Sequence, residues 1–185
     1  MKRDFLFHFG DALKYYAAPR KTLVLVLSTM RSGSTLLKAL LGQAADVSHL
    51  QETRFHQLRT NRFDFYNHFC RLDEARIIVL KHPVWFSDAL GTFEIPLLPS
   101  IRVISLVRDC QPTVLSLRKM KDNQQRSDDE LIAYWCKYTN QILTKHDESG
   151  QRGVLIRYED LVGVLAPIRN QFIVAALLVI FHFSQ

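Results

Sequence analysis

An α/β domain with a mostly parallel central sheet, flanked by helices, is what this sequence predicts, and three observations carry that expectation. Four short runs rich in leucine and β-branched residues lack polar alternation and suit strands buried on both faces: TLVLVL (22–27), RIIVLK (76–81), IRVISLV (101–107) and GVLIRY (153–158). Segments of helical period lie between them, and strands alternating with helices build parallel sheets. The chain has 185 residues, 48% hydrophobic and 23% charged, which is one domain's worth and enough to bury a core. In such sheets ligands bind beyond the carboxyl ends of the strands.

Taken in order, TLVLVL runs into STMRSGST, and a helix follows from Ser34 to Leu41, closing at Gly42. One helix and a short strand then lead to Glu52 in the segment Asp46 to Arg54. RIIVLK ends at Lys81 and is followed by His82 and Pro83. IRVISLV ends at Arg108, and Pro112 is expected to begin a helix reaching Met120. Ser127 to Glu130 reads as a capping box opening a helix through Leu143, with Leu131, Trp135, Tyr138 and Ile142 on one face. Trp135 and Tyr138 are expected in the core. The polar stretches Lys119 to Asp129 and Lys145 to Arg152 are expected to be mobile, and no internal repeat or low-complexity segment is present.

Composition narrows the function classes. Cys70, Cys110 and Cys136 are widely spaced, with no CxxC or His-Cys pairing, so neither a metal site nor a redox motif is expected and a reducing, cytoplasmic setting is. The opening MKRDFLFHFGDALKYY has a short apolar run broken by His8, Gly10 and Asp11, without a small-residue cleavage site, so no signal peptide is expected. The net charge of +6 is scattered rather than striped, with no nucleic-acid recognition motif, and suits a small polyanionic ligand.

STMRSGST, leaving a buried strand and opening a helix, points backbone N–H groups and the positive end of the helix dipole at one spot. Gly33 lets the backbone turn and approach an anion closely, Ser34 and Thr35 add hydroxyl donors, and Arg31 adds a cation able to fork two oxygens. A phosphate is the expected ligand. The G-x-x-x-x-G-K-[ST] spacing of ATP- and GTP-binding loops is missing, along with its lysine, which disfavours a small-molecule kinase. At a second strand end Arg108 is followed eight residues on by Ser116, a clamp for a second phosphate on the same sheet edge.

STMRSGSTLL followed by LVRDCQPTVLSL resembles the two cofactor signatures of the sulfotransferase family, which uses 3′-phosphoadenosine 5′-phosphosulfate on a P-loop NTPase-like α/β fold. An arginine at position 31 is similar to tyrosylprotein, carbohydrate and many bacterial members. The resemblance implies that Arg31, Ser32, Gly33, Ser34 and Thr35 hold the 5′-phosphosulfate, and that Arg108 and Ser116 hold the 3′-phosphate. It implies Glu52, in QETR, as the base that takes the acceptor's proton. His49 is the rival base, with His56 and His82 weaker candidates. Lys81, in Lys-x-Pro, would stand near the bridging oxygen where negative charge grows, and Tyr158 in LIRYEDL would approach the nucleotide. The implied activity is sulfuryl transfer to a hydroxyl or amine of a sugar, peptide or lipid acceptor, leaving adenosine 3′,5′-bisphosphate, with no metal. The alternative is a nucleotide- or partner-binding module that does not turn over.

The resemblance covers residues 22–162 of a single domain spanning 1–185, and 163–185 departs from it, which implies a C-terminally shortened version. Phe172 to Phe183 is an apolar run of twelve, below the roughly 20 residues that span a bilayer as a helix. Three readings of it stay open: a buried helix, a homodimer surface, or the displaced end of a truncated gene. Acceptor contacts are expected from 53–75 and 83–98, where Arg54, Arg59, Arg62 and several phenylalanines either meet an acidic, partly aromatic acceptor or pack.

Overall fold

Thr22–Ser28 forms strand β1, and from Leu23 to Leu27 every one of its side chains is at most 2% exposed. A strand this apolar must be covered on both faces, and the topology supplies the cover. In chain order there follow α1 (Ser34–Leu41), β2 (Val47–His49), α2 (Thr53–Thr60), β3 (Ile77–Lys81), β4 (Ile101–Val107), α3 (Cys110–Arg118), α4 (Asp128–Ser149), β5 (Gly153–Arg157) and α5 (Tyr158–Leu165). The structure, a computed structural model, describes residues 21–44, 46–61, 64–65, 69, 75–82, 90–96 and 100–165, the final two as backbone alone.

The 5-stranded sheet has the order β2-β3-β1-β4-β5, and every pairing is parallel. β1 therefore lies at the centre, with Val26 opposite Lys81 of β3 and Ser28 opposite Leu106 of β4. All five strands end at one edge, so the segments that leave them converge there. This is a P-loop-like α/β fold: the alternation of strand and helix predicts the parallel sheet flanked by helices, and the P-loop-like form is what the resemblance implies.

Because side chains alternate along a strand, β1 feeds two separate cores. Leu23, Leu25 and Leu27 join Phe55 and Leu58 of α2, Ile142 of α4 and Phe65, Phe69 and Phe93 on one face. Val24 and Val26 join Leu37, Leu40 and Leu41 of α1 and Leu161 of α5 on the other. Each fully buried leucine contributes about 1.5–3 kcal/mol relative to exposure. Of the phenylalanines that could have met an acceptor, Phe55, Phe65, Phe69 and Phe93 are packing residues, each at most 2% exposed, while Phe63 and Phe86 fall outside the described residues. A third cluster, Val114 and Leu117 of α3 with Leu131 of α4, fastens those helices together.

Several boundaries differ from the sequence reading. α3 starts at Cys110, two residues before Pro112. A proline is tolerated inside a first turn because N–H groups there lack helical partners. α4 extends from Asp128 to Ser149, opened by the expected capping box of Ser127 and Glu130. The polar stretches expected to be mobile contain helical turns. Lys121–Asn123 and Gly150–Arg152 are 3-10 turns, and Lys145 lies within α4 with its ammonium 2.8 Å from Glu148. Arg62, Cys70, the opening residues and the apolar run 172–183 fall outside the described residues. Among the described residues no helix is long and apolar enough to cross a membrane, and no group of His, Cys, Asp and Glu is placed to hold a metal ion.

Candidate anion-binding site

The loop from β1 to α1 turns through two left-handed residues, Arg31 at φ 61° and Gly33 at φ 90°. Such conformations aim successive backbone N–H groups into a common concavity. Glycine adopts this conformation without penalty, whereas the non-glycine residue in it is held at a cost of about 1–3 kcal/mol. Arg31 thus carries its guanidinium at a position where glycine would sit more easily. Gly33 occupies the cap position of α1, and no side chain caps that helix, so its first N–H groups face the loop's concave side.

Gly33 meets a second requirement. A Cβ at this position would lie 2.2 Å from the Cδ2 of Tyr158, whose ring fills the space a side chain would need. Tyr158 opens α5 directly after β5, so packing of ring on glycine fastens the fifth strand end to the loop. The same ring lies under Arg108, with Cζ 4.3 Å from its centroid, a cation–π contact.

Met30, Arg31, Gly33, Ser34, Thr35, Lys81, Arg108, Ser116 and Met120 line an open cavity of ≈ 360 Å³ at the carboxyl edge of the sheet. Three cations and a helix N-terminus bordering one small space concentrate positive potential there. Arg31 Nε donates to Ser116 Oγ at 2.7 Å, and Arg108 Nη1 donates to the main-chain oxygen of Arg31 at 2.9 Å. The residues read from two distant motifs therefore form one hydrogen-bonded unit. Arg108, which borders the cavity, has its Nε buried without a hydrogen-bond partner among the described residues. A buried donor left unpaired is what an arriving oxyanion would satisfy.

Lys81 ends β3 with 9% of its side chain exposed, and its ammonium donates to Glu52 Oε1 at 2.8 Å. It is a nearly buried lysine bordering the cavity. Glu52 does not border the cavity but stands behind Lys81, 31% exposed, at the start of α2. His49, the rival base, turns away from this edge: its Nε2 stands where a Cβ on Gly42, at the far end of α1, would come within 2.5 Å. Burial first, then the nearby Lys38 ammonium, lowers the His49 pKa from its ordinary 6.5, which favours the neutral ring. His82 is fully buried with its ring 4.7 Å from that of Phe55, and His56 is exposed on α2.

Ser32 also differs from its loop neighbours. Its hydroxyl, fully buried, donates to the Thr29 carbonyl at 2.7 Å and braces the turn rather than bordering the cavity. Arg157 pairs with Asp109 at 3.0 Å, and the Asp109 N–H donates to Glu159, so the RYED segment also ties down the start of α3. Trp135, expected as a core residue, is half-buried, and its indole N–H donates to the Arg108 carbonyl at 2.9 Å. The signal that could have found it is chemical, since a buried tryptophan N–H seeks an acceptor. Met30 and Met120 carried no sequence signal beyond their apolarity.

Fold and loop together define a P-loop-like α/β domain with a cationic cavity at its strand ends. No protein-family model and no curated protein matches the chain. Among solved structures it is similar to shikimate kinase from Bacteroides thetaiotaomicron, at 16% identity and a TM-score of 0.44, over 74% of this chain and 86% of that one. A likeness of that degree says nothing of what this chain binds.

Proposed function

We propose that the chain is a sulfotransferase that binds 3′-phosphoadenosine 5′-phosphosulfate in the ≈ 360 Å³ cavity and transfers its sulfuryl group to an acceptor hydroxyl or amine. The observation that carries this reading is the convergence of Arg31, Lys81 and Arg108 on one cavity, with the Glu52 carboxylate 2.8 Å from the Lys81 ammonium. A donor with two separate phosphate groups needs cations at two places, and the loop and the end of β4 supply them. The acceptor oxygen attacks sulfur, the bond from sulfur to the bridging phosphate oxygen breaks, and adenosine 3′,5′-bisphosphate departs. Lys81 and the loop N–H groups offset the charge growing on that oxygen. Glu52 takes the acceptor's proton once the donor has drawn the lysine toward itself.

A second reading, a nucleotide-holding module without turnover, has one observation on its side: the ion pair that occupies Glu52. Both readings require the nucleotide. Thermal unfolding beside adenosine 3′,5′-bisphosphate, and separately beside ATP with magnesium, tests that requirement. At 100-fold excess over Kd the correct ligand adds about 2.7 kcal/mol of stability. Stabilisation by ATP with magnesium alone overturns both readings. A screen of sugar, peptide and lipid acceptors, read by the mass of an added sulfate, then separates enzyme from module.

A further inference from the structure

Trp135 does not border the cavity, yet its indole N–H is bonded to the main chain of a residue that does. The acceptor, the Arg108 carbonyl, is the first beyond β4, in the two-residue link before α3 begins at Cys110. Here the sheet no longer sets the direction of the backbone. Two hydrogen bonds orient the peptide between Arg108 and Asp109 instead: Trp135 of α4 donates to its carbonyl, and the peptide's N–H donates to Glu159 at 3.2 Å. The tether from α4 thus holds the side of that peptide from which the Arg108 side chain departs. From there the guanidinium reaches Arg31 O at 2.9 Å and lies over Tyr158 at 4.3 Å. Its Nε has no hydrogen-bond partner among the described residues.

We infer that Trp135 is a positioning residue for the anion site: its N–H, acting through the Arg108 carbonyl, presents the Arg108 guanidinium to the second phosphate of the ligand. The inference rests on the reading of Arg108 as the group that selects a 3′-phosphorylated nucleotide. A phenyl ring at 135 would fill much of the same space without the tether, so polar and packing roles are separable.

The test uses the full chain as wild type, Trp135→Phe, Arg108→Ala and the double variant, titrated with adenosine 3′,5′-bisphosphate and with adenosine 5′-monophosphate. Trp135→Phe is expected to weaken the bisphosphate by about 3- to 10-fold, the loss of one ordinary hydrogen bond. Binding of the monophosphate stays unchanged, and no further loss appears in the Arg108→Ala background. Equal losses for both ligands, or losses that add to those of Arg108→Ala, would show that Trp135 only packs and overturn the inference. If Trp135→Phe does not fold, the benzothiophene isostere of tryptophan, which keeps the shape and lacks the N–H, takes its place. If the wild type itself does not distinguish the two nucleotides, the functional reading fails at Arg108. Inorganic pyrophosphate then decides the inference alone: a shared, non-additive loss in the two single variants supports it, and additive loss, no loss or no binding overturns it.

Discussion

The Lys81 ammonium and the Glu52 carboxylate lie 2.8 Å apart, joining the end of β3 to the start of α2 at the edge of the cavity. This pair holds the group proposed to act on the donor and the group proposed to act on the acceptor within one contact. Glu52→Gln keeps the size and a hydrogen-bond acceptor for the lysine but takes no proton. Turnover is expected to fall by roughly 10²–10⁴ while donor affinity changes by no more than a few-fold. Single-turnover kinetics beside equilibrium binding check it, with His49→Ala as the control that leaves turnover little changed. Loss of turnover in His49→Ala with Glu52→Gln intact would move the base to the histidine.

Arg108 and Arg31 border the same cavity but belong to different strand ends. Arg108→Ala is expected to weaken adenosine 3′,5′-bisphosphate by on the order of 1.5–3 kcal/mol, a charge-assisted bond, and to spare adenosine 5′-phosphosulfate. Arg31→Ala is expected to weaken both ligands. Calorimetric titration of the two variants distinguishes the outcomes, and equal losses in Arg108→Ala would remove its assignment.

Gly33 is required twice over, by φ 90° and by the Tyr158 ring 2.2 Å from the place of its missing Cβ. Gly33→Ala is expected to cost more than the about 1–3 kcal/mol of a non-glycine residue in that conformation, because the ring must also move. In a Tyr158→Ala background the cost should shrink to the conformational part. Denaturant midpoints for the four chains of this cycle measure both contributions, and an unchanged cost would show that the ring contact is immaterial.

His49 gives stability a pH dependence. Its pKa in the folded chain is lowered from 6.5 by burial and by Lys38, so the unfolded chain binds the proton first as pH falls. Stability from this residue is fully present above 6.5 and is lost as pH drops from there toward the lower folded pKa. Melting temperature followed from pH 8 downward, a range chosen about this histidine, should decline below that point in the wild type. His49→Leu should decline less, and parallel curves would show that the ring titrates alike in both states.

The parallel sheet was legible in the sequence because strands covered on both faces are mostly apolar without polar alternation, as LVLVL of β1 shows. β4 also buries Ser105, and β5, at the sheet edge, leaves Leu155 exposed, unlike the two-sided burial its apolar run suggested. The turn from β1 into α1 was legible because a left-handed turn and a helix start need particular residue types, as Gly33 and Ser34 show. Ser127 and Glu130 announced their helix for the same local reason. Contacts between distant segments have no such local signature. That Arg31 bonds Ser116, that Lys81 is buried against Glu52, and that Trp135 tethers Arg108 depend on which strand ends become neighbours. The sheet order decides that: β1 stands between β3 and β4, and parallel pairing brings all the strand ends to one edge. The tertiary structure also settled that Phe55, Phe65, Phe69 and Phe93 pack rather than wait for an acceptor. A phenylalanine reads alike in a core and in a binding face, and only the space around it tells the two apart.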